Sequence, residues 1–231
     1  QLVFVMAAAI FYGPPYHQWT NGSTTKKKIM RLLPSDVKTY TFFEDYGNLS
    51  GSAMIEYINS KNARFLNTAA HANERGMWTV QWWQSVPIRY GNEQIIGLGA
   101  GDAIKSYVVW YAAGCTTCPI DWPICMGKAA IKGSGGVAAY IGVTRIGYAG
   151  IDDDLDYRFW KNVFSGNSFV GSALALAKTE TIIFNDIGRP HVRKNILELV
   201  LLGDPTMNAL NDRNPMEFLI DQLKEAVKQS Y

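Results

Sequence analysis

Hydrophobic residues along the chain gather in short runs that are separated by turn signals and by amphipathic segments. Two apolar runs rich in β-branched and aromatic residues, Phe65 to His71 and Tyr107 to Cys115, have the length and composition of buried strands. Val137 to Val143 predicts another buried strand, and the apolar segment Gln1 to Phe11 is interpreted as the first strand. Val37 to Phe43 alternates in polarity, which is typical of a partly exposed edge strand.

Between these strands the pattern changes to the spacing of amphipathic helices. Helices are predicted over Lys26 to Leu33, Ser50 to Asn59, Trp122 to Lys132, Tyr157 to Phe164, Ser168 to Lys178, Val192 to Leu202 and Met216 to Val227. Strands that alternate with helices build a mainly parallel sheet with helices on both faces. The sequence therefore predicts a three-layer α/β sandwich that forms one domain over residues 1–231, with a C-terminal helix, 215–229, packed on it.

One long connection, residues 72–103, separates the two central strands and contains Trp78, Trp82 and Trp83. A loop of this length inside a compact domain is usually functional, so it is expected to form part of a pocket wall. Tryptophans that only cover the edge of the sheet are the alternative interpretation.

Composition and charge narrow the classes of partner. The 231-residue chain is 48% hydrophobic and carries a formal net charge of +2, so it has no strong basic field and neither nucleic acid nor an anionic membrane is favoured. Its apolar runs are shorter than the roughly 18 residues needed to cross a bilayer, and no membrane span is expected. Because the chain opens on a strand without an initiator methionine, we expect it to be a fragment of a longer precursor.

The candidate chemistry lies at the ends of the two central strands, where one strand delivers His71 and the other Cys115. In a parallel sheet, residues just beyond the carboxyl ends of adjacent strands meet in a crevice. Cysteine attacks carbonyl carbons as the thiolate, and a nearby imidazole can take the thiol proton. The pattern indicates a His71/Cys115 dyad, and the alternative is a pair of structural residues at strand ends.

Two further thiols lie close to Cys115 in the sequence, at Cys118 and Cys125. The three together suggest a zinc half-site or a redox dithiol, although structural zinc normally requires a second pair of ligands. A bridge between Cys118 and Cys125 that leaves Cys115 free would require an oxidising compartment. No metal site is predicted from this segment.

Acidic residues cluster at Asp152, Asp153, Asp154 and Asp156. Calcium is one interpretation, since hard cations bind several carboxylates. The preferred interpretation is the acidic first turn of a helix, where the helix dipole stabilises negative charge, because the segment has neither EF-hand spacing nor a loop glycine.

Several segments resemble the gingipain-type cysteine peptidases, which belong to the larger group with the caspase and haemoglobinase fold. The segments occur along the chain in the same order as in that family. The similar segments are Phe65 to His71 and Tyr107 to Cys115, Ala69 to Asn73 followed by Trp78, Ala129 to Tyr148, and Leu199 to Thr206. Together they cover most of residues 60–210.

The resemblance implies a caspase-like fold and a cysteine endopeptidase that needs no cofactor and acts on polypeptides. His71 would be the general base and acid, and Cys115 the nucleophile that forms a thioester. Backbone N–H groups of Ala72 and Cys115 would bind the oxyanion. The resemblance also implies secretion or a cell-surface location. A substrate pocket is expected near Trp78, Val143, Thr144 and Arg145, where Arg145 would contact an acidic substrate side chain or pair with Asp152 to Asp154.

Two departures from the family pattern support a second hypothesis. Ala72 follows the histidine where the family has glycine, and alanine resists some backbone conformations that glycine adopts. The chain also has no Asp or Glu before Asp36, so the carboxylate that can orient the histidine in this family is missing or is supplied from elsewhere. A catalytically inactive relative that serves as a binding or assembly domain is therefore the alternative function.

Overall fold

The computed structural model of the chain describes residues 2–12, 20–83 and 86–210. Its strands are β1 (Val3–Ala8), β2 (Ile10–Tyr12), β3 (Thr20–Asn21), β4 (Lys38–Phe43), β5 (Phe65–Ala69), β6 (His71–Asn73), β7 (Gly76–Trp83), β8 (Val86–Gly97), β9 (Val108–Ala113), β10 (Val137–Val143) and β11 (Leu199–Gly203). Its helices are α1 (Ser23–Met30), α2 (Gly51–Ser60), α3 (Ala100–Ala103), α4 (Met126–Lys132), α5 (Ala149–Phe164), α6 (Val170–Phe184) and α7 (Pro190–Glu198). The helix predicted over 215–229 lies outside the described residues.

The central sheet has the strand order β11-β10-β9-β5-β1-β4. Its pairs are parallel, except that β11 runs antiparallel to β10. The alternating strand β4 lies at an edge of this sheet, as its pattern predicts. The predicted fold class, a three-layer α/β sandwich with a mainly parallel sheet, is confirmed.

Period-two alternation in the strands builds two separate cores. In β1, Phe4 and Met6 face the layer formed by α1, α5 and α6, whereas Val5 and Ala7 face the layer formed by α2, α3 and α4. These four side chains are fully buried or nearly so. Full burial of a large apolar side chain stabilises the fold by about 1.5–3 kcal/mol, which is why such runs are found in the centre of the sheet.

Strand β5 also carries two polar side chains, one on each face. Asn67 lies in the first core, where its amide donates to Asp156 Oδ1 over 2.8 Å and where the ammonium group of Lys26 lies 2.6 Å from Asp156 Oδ2. Thr68 lies in the second core, and its hydroxyl accepts the indole N–H of Trp110 over 2.9 Å. Both polar side chains of β5 thus have partners, which avoids the penalty for an unsatisfied buried group.

The prediction that residues 72–103 form a long loop is wrong. The segment contains β6, β7 and β8, which form a separate antiparallel sheet, followed by the short helix α3. The register between β7 and β8 shifts at three places, so neither strand keeps the strict alternation by which a strand is recognised from sequence. Trp82 and Trp83 lie in β7.

Several predicted helix ends also differ from the structure. The helix predicted over Val192 to Leu202 ends at Glu198, and the chain continues directly into β11. The helix ends where Leu199 adopts an extended backbone. No glycine or proline lies between the two elements, so the sequence carries no signal for this helix end. Helix α5 begins at Ala149 rather than at Tyr157, with Asp152 in its first turn as expected.

Candidate active site

Two neighbouring strands bring His71 and Cys115 to the same edge of the sheet. Ala69 and Ala113 are Cα partners at the ends of β5 and β9, and His71 and Cys115 each follow two residues later. The amide of Ala70 donates to the carbonyl of Ala113 over 3.2 Å, so the pairing continues one residue beyond β5. The predicted convergence of the two strand ends is therefore present in the structure.

Gly114 allows these two segments to pack closely. A Cβ atom at this position would lie 2.8 Å from the carbonyl oxygen of Ala70 and 2.8 Å from the Cβ of Ala72. Such distances are well inside van der Waals contact, so any larger residue would push apart the segments that flank the histidine and the thiol. Glycine at this position is required by a close backbone approach, independently of its conformational freedom.

A pocket of about 50 Å³ opens at this edge. It is lined by Ala70, His71, Ala113, Gly114, Cys115, Gly147, Ala149, Asp152 and Asp153. The histidine and the thiol thus share one pocket with two carboxyl groups. A pocket of this size holds little more than a reacting group, so a longer ligand would have to extend out of it.

The thiol of Cys115 is partly buried and donates to the carbonyl of Gly147 over 3.7 Å. Burial raises the pKa of Cys115, and the nearby Asp152 carboxylate raises this pKa further. The hydrogen bond to Gly147 and the positive charge of Lys194 act in the opposite direction without reversing the shift. The resting thiol is consequently protonated at neutral pH.

Thr116, directly after the thiol, has the left-handed backbone angle φ 53°. This conformation is strained for a β-branched residue. It is held by a hydrogen bond in which the Thr116 amide donates to the carbonyl of Arg145 over 2.7 Å. The strained turn changes the direction of the chain directly after Cys115, so the thiol lies between the end of β9 and this turn.

Asp152 belongs to a small hydrogen-bonded network with Asn195 and Tyr148. The amide of Asn195 in α7 donates to Asp152 Oδ1 over 2.7 Å and to the carbonyl of Tyr148 over 3.1 Å, while its oxygen accepts the Tyr148 amide over 3.2 Å. Burial, with added repulsion from Asp153, raises the pKa of Asp152 to about 8. A Cβ on Gly147 would lie 2.0 Å from Asp152 Oδ2, so the carboxyl group packs directly against the residue whose carbonyl accepts the hydrogen bond of the Cys115 thiol.

The four residues predicted for the substrate pocket are not among those that line this pocket. Trp78 is partly buried in β7, Val143 is buried at the end of β10, and Thr144 is partly buried just after it. Arg145 is exposed, and its guanidinium group binds both carboxylate oxygens of Asp121, over 3.0 and 2.7 Å. The suggested pairing of Arg145 with Asp152 to Asp154 is wrong, because Arg145 forms its ion pair with Asp121 instead.

Ala72 lies in β6 and is buried. Among the described residues other than glycine, a positive φ occurs at Asn62 and Thr116 only, so Ala72 has an ordinary backbone conformation. The replacement of glycine by alanine after the histidine therefore introduces no backbone strain.

Sequence reasoning missed Asp152 and Asp153 as pocket residues. Strand β10 is the neighbour of β9 and runs parallel to it, so the segment after Val143 reaches the same edge as Cys115. That topology was available from the strand pattern, and it places the start of α5 beside the thiol. From the sequence, the acidic turn is interpreted as a calcium site, a partner of Arg145 or a favourable start of a helix, and none of these interpretations places it beside the thiol.

The acidic residues of α5 have separate protein partners. Asp154 accepts hydrogen bonds from Arg158 and Asn185, whereas Asp156 is paired with Lys26. Within the described part of the chain, no group of three or more His, Cys, Asp or Glu side chains is arranged to hold a metal ion. The helices described are also too short or too polar to span a membrane.

Comparison with known proteins identifies the family. Residues 6–210 match the family model of peptidase family C25. The chain belongs to peptidase family C25. The resemblance to gingipain-type peptidases is thus confirmed at the level of the family. A search of curated proteins found no match.

Solved structures support the same relationship at the level of the fold. The similarity to a crystal structure of the Arg-specific cysteine proteinase gingipain R (RGPB) covers 89% of this C25 chain and 47% of the gingipain chain, with a TM-score of 0.68 and 12% identity. The similarity to a complex of the Porphyromonas gingivalis RgpB pro- and mature domains covers 90% of this chain and 48% of the matched chain, with a TM-score of 0.65 and 10% identity. A third structure, described only as a protease, matches 89% and 47%, with a TM-score of 0.60 and 17% identity. The chain therefore spans about half the length of each.

Proposed function

We propose that this C25 chain is a cysteine endopeptidase in which Cys115 is the nucleophile and His71 the general base and acid. One observation carries the proposal: both residues extend equally far beyond the paired Ala69 and Ala113 and line the same pocket. A polypeptide is the proposed substrate. The location outside the cell or on its surface stays a prediction from the family resemblance.

The reaction would proceed in two steps. The sulfur of Cys115 attacks the peptide carbonyl carbon while His71 accepts the thiol proton and then delivers it to the leaving amine, which breaks the C–N bond. Water, deprotonated by His71, next attacks the thioester carbonyl and breaks the C–S bond, which releases the carboxylic acid, and His71 returns the proton to the sulfur of Cys115. Backbone N–H groups of Cys115 and Ala72 are the proposed donors to the oxyanion.

The protonated resting thiol decides how the first step begins. Because burial raises the pKa of Cys115, a preformed thiolate–imidazolium pair is disfavoured in this state. Proton transfer to His71 is therefore expected to accompany the attack on the substrate. The hydrogen bond from the thiol to Gly147 must break in the same step.

A peptidyl acyloxymethyl ketone, used as an activity probe, tests this proposal. The probe should label Cys115, and Cys115→Ala should abolish labelling and hydrolysis together. Cys125→Ala is the matched control, since that thiol is fully buried away from the pocket and its loss should leave labelling intact. Equal labelling of wild type and Cys115→Ala would contradict the assignment.

A binding or assembly domain without catalysis is the second candidate function. The raised pKa of Cys115 favours it, because a thiol that stays protonated is a weak nucleophile. The absence of hydrolysis across a diverse peptide library, together with an alkylation rate for Cys115 far below that of a free thiol, would support this candidate over the peptidase.

A further inference from the structure

The two cysteines outside the pocket lie together in the interior. Cys118 and Cys125 are both 0% exposed. The amide of Gly127, two residues after Cys125, donates to the carbonyl of Thr117, next to Cys118, over 3.2 Å, so the two segments lie side by side. Cys118 belongs to the core between the sheet and the layer of α2, α3 and α4, and neither thiol lines the pocket that contains Cys115. Both thiols are free in this structure.

The backbone holds both residues in place without any covalent link. The amide of Cys118 donates to the carbonyl of Val143 over 2.9 Å, and the carbonyl of Cys125 accepts the amide of Ala129 over 2.9 Å. Gly127 leaves the space that the Cys118 sulfur occupies, since a Cβ there would lie 2.7 Å from that sulfur. The segments that carry the two sulfur atoms are thus held next to each other by strand β10 and helix α4.

We propose that Cys118 and Cys125 form an intramolecular disulfide that closes the segment between the nucleophile and α4. The oxidant is a low-molecular-weight disulfide. One cysteine thiolate attacks it, forms a mixed disulfide and releases one small thiol. The second cysteine then attacks the mixed disulfide, forms the protein S–S bond and releases the second small thiol, so two protein thiols are oxidised as one small disulfide is reduced.

Burial determines when this reaction takes place. Burial and the neighbouring Cys125 raise the pKa of Cys118 to about 12, so its thiolate is scarce in the folded protein. Thiol–disulfide exchange requires a thiolate and access, both of which are present before the segment is packed. The bond therefore forms during folding and is afterwards shielded from reductants, while the partly exposed Cys115 remains free for its own chemistry.

The bond would act on the loop that carries the nucleophile. Between the two thiols, Ile120, Trp122 and Ile124 are exposed to solvent, so these side chains contribute little apolar burial to the stretch. A covalent closure restricts the unfolded chain and stabilises such a segment against local opening.

Refolding from denaturant in a buffer of reduced and oxidised glutathione tests the proposal. Remaining thiols are then blocked with N-ethylmaleimide, and proteolytic peptides are analysed by mass spectrometry. The expected result is a cross-link between the peptides of Cys118 and Cys125, a mass lower by two hydrogen atoms, and a maleimide on Cys115. A cross-link that involves Cys115, or three blocked thiols after oxidative refolding, would overturn the proposal.

Carrying out the same experiment in Cys115→Ala separates this proposal from the proposed peptidase activity. The cross-link should persist in that variant, and it should be lost in both Cys118→Ala and Cys125→Ala. The urea midpoint of the oxidised Cys115→Ala protein should fall on reduction with dithiothreitol. The triple variant that also lacks Cys118 and Cys125 should show no such fall, and an equal fall in both proteins would count against a stabilising bond.

Discussion

The amide of Asn195 donates to the carboxyl group of Asp152 over 2.7 Å, at the wall of the pocket that contains Cys115. Despite this bond, burial and the repulsion of Asp153 and Asp156 raise the pKa of Asp152 from 3.8 to about 8. The folded protein therefore holds a proton on Asp152 over a range of pH in which the unfolded chain has already released it.

The first prediction concerns stability as a function of pH. Between about pH 4 and 8 the folded state binds one more proton at Asp152 than the unfolded state, so the free energy of unfolding falls as pH rises and levels off above about 8. Asp152→Asn removes this dependence and keeps an oxygen for Asn195. Its advantage over wild type should grow by roughly 1 kcal/mol per pH unit within that window, as measured by urea unfolding. A constant difference across the window would contradict the assignment.

The second prediction concerns the reactivity of Cys115. Asp152→Asn removes a negative charge that raises the pKa of the thiol, so Cys115 should be alkylated faster by iodoacetamide. The increase should be greater at about pH 9, where the wild-type carboxylate is charged, than at about pH 7. Asp154→Asn is the control, since that carboxylate binds Arg158 and does not line the pocket, and its alkylation profile should match wild type.

The third prediction tests the histidine. His71→Ala should lower kcat/KM for a fluorogenic peptide by at least about 100-fold, because general base and acid catalysis typically contributes that much or more. His191→Ala, a change at a histidine that packs beside Tyr148 and is absent from the pocket lining, should leave the rate within a factor of about two. Equal effects of the two changes would argue against a catalytic role for His71.

The fourth prediction concerns the close approach at Gly114. Gly114→Ala places a methyl group 2.8 Å from the Ala70 carbonyl oxygen and from the Ala72 Cβ, which forces the segments of the dyad apart. Activity should fall by about 10- to 100-fold, as expected for a small misplacement of reacting groups. Gly99→Ala is the matched control, because no atom lies within 4 Å of the added Cβ. Thermal unfolding of both variants separates misplacement from loss of fold.

The fifth prediction concerns the buried ion pair of Lys26 and Asp156, whose side chains are both 0% exposed. Lys26→Met leaves a buried carboxyl group without its cation and should cost about 3–5 kcal/mol of unfolding free energy. Adding Asp156→Leu should recover part of this loss. Lys27→Met, which removes a partly exposed pair with Asp45, should cost less than about 1 kcal/mol in the same urea experiment. A similar cost for Lys26→Met and Lys27→Met would show that the buried pair is not required for stability.

The parallel central sheet and the convergence of the strand ends at His71 and Cys115 could be predicted, because buried parallel strands leave continuous apolar runs. Strands β7 and β8 could not, since their register shifts interrupt the alternation. Strand β11 was also missed, because it follows α7 directly and a short apolar run has no distinct period.

The surroundings of the thiol were less accessible to prediction than the thiol itself. The burial of Lys26 beside Asp156 depends on contacts between α1 and α5, which are distant in sequence. The same holds for Asn195, which reaches Asp152 from another helix. The local pattern of hydrophobic and polar residues predicts which residues are buried, but it does not predict which buried polar side chains form hydrogen bonds with each other.

The two polar side chains of β5 have a consequence for strand alignment. A slip of β5 by one position relative to β9 would turn Asn67 away from Lys26 and Asp156 and would turn Thr68 away from the indole of Trp110, leaving polar groups unsatisfied on both faces. An apolar strand would tolerate such a slip more easily. Asn67 and Thr68 therefore select the one alignment in which His71 lies level with Cys115.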